Sequence, residues 1–78
     1  MRVLVVGGMN LDLLGWPGQP LLPRDSTPGR IVSRPGGVGR NIAARLAALG
    51  AEVSLLTVLG DDAWARLLTE ACARDGID

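Results

Sequence analysis

The sequence has no histidine, no lysine and a single cysteine, Cys72. Without histidine, Ser-His-Asp and Cys-His nucleophile systems are excluded within this chain, as is imidazole ligation of a metal. One cysteine excludes an internal disulfide and any zinc site built on paired thiolates. The absence of lysine excludes a Walker loop, which needs Gly-x4-Gly-Lys-Ser/Thr around the nucleotide phosphates. All 8 basic residues are therefore arginines, balanced by 8 acidic residues for a net charge of +0. They are scattered from Arg2 to Arg74. That arrangement lacks the clustered positive field that nucleic acid or a membrane surface would select. Long apolar runs are missing too. Val3–Val6 ends in Gly7-Gly8, and Leu13–Leu22 is broken by Pro17, Gly18 and Pro20. Neither run makes a signal-peptide core or approaches the ~20 residues that span a bilayer. The expected setting is soluble, reducing and cytoplasmic.

What remains is a chain of 78 residues, 47% of them hydrophobic, which is at most one small domain and too apolar for a disordered tail. Residues Arg2–Val6 read as a strand buried on both faces, because their apolar run is continuous rather than alternating. Leu11–Arg34 holds Pro17, Pro20, Pro23 and Pro28 together with Gly15, Gly18 and Gly29. This segment cannot be helical. It is expected to form a small projecting β-excursion, with short strands at Asp12–Trp16 and Arg30–Arg34. Pro35-Gly36-Gly37 reads as a turn. Val38–Leu49 reads as a helix with Val38, Ile42, Leu46 and Leu49 on its buried stripe and Gly50 as its stop. Glu52–Leu59 is expected to be a second strand, burying Val53, Leu55, Leu56 and Val58. Gly60-Asp61-Asp62 ends it, and either aspartate can cap a helix that runs to about Arg74, with Trp64, Leu67, Leu68 and Ala71 on one face. Gly76 stops that helix.

Strand, helix, strand implies a parallel pair. Two such strands cannot cover themselves, and two helices on one side leave the other face and both edges open. The composition is that of an interior piece of a larger α/β protein.

Gly7-Gly8 does not lead directly into a helix, so no dinucleotide fingerprint is present. Gly36-Gly37-Val38-Gly39-Arg40-Asn41 does open a helix, and its glycines allow close backbone approach at the positive end of the dipole. Asn10 and Asp12 stand just past the end of the first strand, where open α/β sheets bind ligands. Asn10, Asp12 and Asn41 thus offer short polar groups beside bare backbone, the outline of a polyol site. The bland alternatives are a polar strand end and a packing turn. Asp61 and Asp62 are read as a cap rather than a metal pair, since two adjacent carboxylates need further ligands. Arg40 is placed on an exposed helix face, Trp64 in the core, and Cys72 as a small half-buried hydrophobe. Trp16 either covers a substrate or stiffens its loop.

In these residues the chain resembles the PfkB carbohydrate kinases, the ribokinase-like family. Gly36, Gly37, Gly39, Asn41, Ala43, Gly50 and Gly60 meet the fixed positions of that family's first signature. Gly7-Gly8-Met9-Asn10-Leu11-Asp12 looks like its opening strand, and Leu59-Gly60-Asp61-Asp62 like its Val-Gly-Asp-Asp turn. The run Gly36–Ala43 is most similar to the pseudouridine kinase branch. The resemblance implies an α/β fold, the N-terminal β-lid-β-α-β-α portion of a ribokinase-like three-layer sandwich. Residues 1–78 would be the N-terminal fragment of the kinase domain, with a lid at about 11–34. It further implies ATP-dependent phosphorylation of a hydroxymethyl group on a sugar or nucleoside. Substrate contacts would fall to Asn10, Asp12, Gly36, Gly37, Val38 and Asn41. ATP and Mg2+ would serve the complete enzyme and not bind this segment alone. A lid-mediated homodimer is implied for the full-length protein. The family's Gly-Ala-Gly-Asp motif with its catalytic base has no counterpart here, so no catalytic residue is assigned and the chain alone is expected to be inactive. The competing expectation is a truncated, non-catalytic remnant that at most binds sugar. Ala65 replaces a usual glycine, which affects only local packing.

Overall fold

The computed structural model describes residues 1–78. Its elements are β1 (Arg2–Val6), β2 (Asn10–Pro17), β3 (Gly29–Gly36), α1 (Val38–Ala48), β4 (Glu52–Leu56) and α2 (Ala63–Arg74). The apolar runs of β1 and β4 pair in parallel, from Arg2 opposite Glu52 to Val6 opposite Leu56. The last residues, after the second helix, add an isolated parallel bridge to β4. Ile77 bridges Val53, and the Leu55 N–H donates to the Asp78 carbonyl at 2.9 Å. The proline- and glycine-rich excursion is a separate antiparallel hairpin of β2 and β3, paired from Asn10 opposite Gly36 to Pro17 opposite Gly29.

The hairpin strands are longer than the sequence suggests. Pro35 and Gly36 belong to β3 rather than to a turn, and the chain reverses at Gly37 alone, whose φ of 96° suits glycine. Proline is tolerated there because Pro35 lies on an edge strand with one open side. β4 stops at Leu56, short of the expected Leu59.

Ala43, Val53, Cys72 and Ile77 form the core, with Val5, Met9, Leu46, Ala47 and Leu55 packed around them. Both helices thus contribute to one face of the β1–β4 sheet. On the opposite face Leu4, Val6 and Leu56 are exposed. The expected open face is present.

The buried helix faces coincide only in part with the apolar stripes. On α1, Gly39 and Ala43 are buried, whereas Val38, Ile42 and Leu49 face solvent. The cause is close approach: a Cβ at Gly39 would lie 2.8 Å from the Gly7 backbone, so only the small face of the helix fits against β1. On α2, Leu68, Ala71 and Cys72 are buried, while Trp64 is 53% exposed and Leu67 is exposed as well. The core expectation for Trp64 is therefore incorrect. Leu56 is exposed rather than buried for the same reason as Leu4: nothing covers that side of the sheet, and Val58, also exposed, lies past the end of β4.

α1 ends at Gly50 (φ 97°) and α2 at Gly76 (φ 77°), both in the left-handed conformation that suits glycine. Asp62 caps α2 by accepting from the Ala65 N–H at 2.9 Å. No helix is long and apolar enough to cross a membrane.

Candidate functional site

The hairpin emerges from the carboxyl end of β1 and returns directly into α1, so its base lies beside the first turn of that helix. Alternation along β2 places Asn10 and Asp12 on one face, and the register sets Gly36 opposite Asn10 and Arg34 opposite Asp12. The Asn10 Nδ2 donates to the Asp12 Oδ1 at 2.6 Å, which fixes the amide orientation and leaves the second carboxylate oxygen free of a side-chain partner. Gly36 is buried beneath this carboxylate, and a Cβ there would collide with Asp12. Gly37 makes a similar accommodation: a Cβ would come 2.6 Å from the Gly8 carbonyl and 3.0 Å from the Asn10 Oδ1. Both glycines therefore make room for the two polar side chains of β2.

Asn41, in the first turn of α1, shares with Asp12 an open groove of about 510 Å3, whose other walls include Arg34, Arg40 and Arg45. Asn10 and Val38 do not line that groove; Val38, the first residue of α1, is exposed. The structure thus brings Asn10, Asp12, Gly36 and Gly37 into direct proximity and sets Asn41 across the groove from Asp12. No side chain caps α1, which leaves its N-terminal end to backbone partners such as the Gly8 carbonyl, the acceptor for the Arg40 N–H at 3.1 Å.

Arg40 departs from expectation. It is not on an exposed face: its side chain is only 14% exposed and pairs with Asp75 at the end of α2. A separation of 35 residues leaves no local sequence signal for this pair. Arg34, opposite Asp12, was also missed as a groove residue. The hairpin register would have revealed it, since a pairing that starts at Asn10–Gly36 puts residue 34 beside residue 12. Cys72 lies beneath Arg40, donating to the Met9 Sδ at 3.3 Å. Burial pushes its thiol pKa up; the Arg40 charge opposes this and Asp75 adds to it. It is a core residue.

Comparisons with known proteins identify the family and the fold. Residues 1–78 match the pfkB family carbohydrate kinase family. The chain belongs to the pfkB family of carbohydrate kinases. It is 40% identical over 75 residues to the pseudouridine kinase of Escherichia coli K12, covering 96% of this chain and 24% of that protein. Among solved structures, it superposes on a carbohydrate kinase from Agrobacterium tumefaciens with a TM-score of 0.93 and 32% identity, over 99% of this chain and 25% of that one. It also matches an aminoimidazole riboside kinase from Salmonella enterica, complexed with aminoimidazole riboside and an ATP analog. The TM-score there is 0.75 at 28% identity, over 100% of this chain and 23% of that chain. The chain thus spans about a quarter of the length of these relatives, and its fold is the N-terminal portion of theirs.

Proposed function

We propose that residues 1–78 form the sugar-positioning part of an ATP-dependent kinase that phosphorylates a hydroxymethyl group, with pseudouridine as the preferred acceptor. The carrying observation is the Asp12 carboxylate, oriented by Asn10 and seated over Gly36 at the mouth of a groove that Asn41 also lines. A carboxylate accepts from two vicinal hydroxyls, and an asparagine both donates and accepts, so the set suits the ring of a furanose. The likeness to a pseudouridine kinase, at 40% identity, supports the nucleoside choice. Gly36, Gly37 and Val38 contribute backbone at the groove's edge in this reading. The β2–β3 hairpin acts as a lid that closes on the sugar and excludes water competing for the phosphoryl group.

Phosphoryl transfer relies on positioning and on stabilising charge at the transferring group. These residues supply the first. In this reading ATP, Mg2+ and the base on the attacking hydroxyl belong to parts of the complete kinase outside these residues.

The test is Asp12→Ala in the complete kinase with pseudouridine as acceptor. Losing a charge-assisted hydrogen bond to a bound ligand costs about 1.5–3 kcal/mol, or roughly tenfold to over a hundredfold in affinity. KM for pseudouridine should rise by that factor while KM for ATP stays nearly constant. Unchanged pseudouridine kinetics would remove Asp12 from the site.

A further inference from the structure

We propose that Arg40 is a positioning residue: its ion pair with Asp75 locks the first turn of α1 and so sets Asn41 and the Gly36–Gly37 corner against Asp12. The inference rests on the proposed sugar site and adds a device that the site needs, a clamp between its glycine turn and the far end of α2.

The first turn of α1 is poorly secured by its own chemistry. Gly37 offers no capping side chain, and no acidic residue stands in the first helical turn. Two glycines, Gly37 and Gly39, flank the turn's start, and glycine has the largest conformational freedom to lose. Gly39 rests on Gly7 through backbone alone. Against this, Arg40 is held at both ends. Its N–H donates to the Gly8 carbonyl at 3.1 Å, and its guanidinium reaches Asp75. This is the only ion pair in the chain, although there are 8 arginines and 8 acidic residues available to form others.

Burial separates the two partners. Arg40 is 14% exposed and its Nε is buried without a partner, whereas Asp75 is 43% exposed. The pair is thus asymmetric. Removing the arginine leaves a carboxylate that water can reach; removing the carboxylate leaves a guanidinium largely shielded from water. Arg40 directly precedes Asn41 and also lines the groove shared by Asp12 and Asn41. Movement of its backbone therefore moves Asn41. Arg45 and Arg34, the other cations of that groove, have no ion pair and cannot substitute from their positions on the outer helix face and on β3.

The experiment compares Arg40→Met, Arg40→Lys and Asp75→Asn in the complete kinase, with Asp12→Ala alongside. Hydrogen exchange at the amides of residues 38–41 reports the turn directly, and pseudouridine and ATP kinetics report the site. Arg40→Met keeps the buried stem and should fold, because the carboxylate it abandons is solvated. We expect faster exchange at residues 38–41 and a roughly tenfold to hundredfold drop in kcat/KM for pseudouridine. KM for ATP should not move, and Arg40→Lys should recover most of the loss. Asp75→Asn should reproduce the effect from the other side of the pair. Unchanged exchange in both Arg40→Met and Asp75→Asn would overturn the clamp. Faster exchange with unaltered pseudouridine kinetics would overturn its positioning role. If Asp12→Ala is silent, or wild-type enzyme leaves pseudouridine unphosphorylated, the sugar-site reading fails, and the exchange data still decide whether the pair holds the turn.

Discussion

Adjacent glycines at the mouth of the groove make different demands, and substitution should separate them. Gly36 lies at the end of β3 without a positive φ, so alanine suits its backbone. The nearest atoms to the added methyl would be those of the Asp12 carboxylate, the free end of a side chain that can rotate aside. Gly37 has a φ of 96° and faces the Gly8 carbonyl, which cannot move without disturbing the β1–β2 connection. Gly36→Ala should therefore leave the melting temperature of the complete kinase nearly unchanged while raising KM for pseudouridine, by displacing Asp12 from its hydrogen bond with Asn10. Gly37→Ala should lower stability by about 1–3 kcal/mol, since strain and overpacking act together there. Calorimetry and acceptor kinetics on the two variants check this. Equal loss of stability in both would show that Gly36 serves packing rather than the carboxylate. The double variant Asp12→Ala with Gly36→Ala should be no worse than Asp12→Ala alone, because the clash disappears with the side chain.

Elements were more legible than their faces. The parallel β1–β4 pair, both helices, their glycine stops and the separate hairpin all follow from apolar runs, glycine placement and the proline-rich gap. Asp62 was one of two possible caps, and the structure selects it by the contact with Ala65. Asp62→Ala should cost about 1 kcal/mol of stability and speed exchange at the Ala65 amide, whereas Asp61→Ala should do neither. Denaturant titration with exchange measured on the same samples would decide it; equal effects of the two variants would show that the cap is shared. The helix faces were misread because apolar periodicity identifies the greasiest stripe, not the one that approaches the sheet. On α1 steric fit chose Gly39 and Ala43 over Val38 and Ile42; on α2 the expected Leu68 and Ala71 are buried, but Cys72 joins them in place of Trp64 and Leu67. At the site, Asn10, Asp12 and the glycines were legible as a local pattern, and the structure places them together. Arg40 was not, since its partner is distant in sequence and only the packing of α2 brings the two together.

At the scale of the whole chain, the displaced stripes and the open sheet face have one consequence. Only 8 of 78 residues are buried, and no large side chain is fully enclosed. The radius of gyration is 15.9 Å, and the chain extends 51 Å along its longest axis. A compact domain of this length would have a radius of gyration of about 11.5 Å. Val58, at 91% exposure, and the face formed by Leu4, Val6 and Leu56 have no cover, and β1 has an open edge beside them. Exposed apolar surface of this kind, next to unpaired strand edges, favours association. Val38, Trp64 and Leu67 add to the apolar area left exposed, and the same surfaces are open to the rest of a complete kinase. The 78-residue chain purified alone should therefore bind a hydrophobic dye, elute from size exclusion at a position that depends on concentration, and melt without a sharp transition. It should also transfer no phosphate from ATP to pseudouridine, ribose or fructose. In the complete kinase, the amides of β1 and β4 should be among the slowest to exchange, whereas in the isolated chain they should exchange within the range of its loops. A cooperative, concentration-independent melt of a monomer would show that α1, α2 and the half-covered sheet suffice on their own. The open face would then need no partner from the remainder of the kinase.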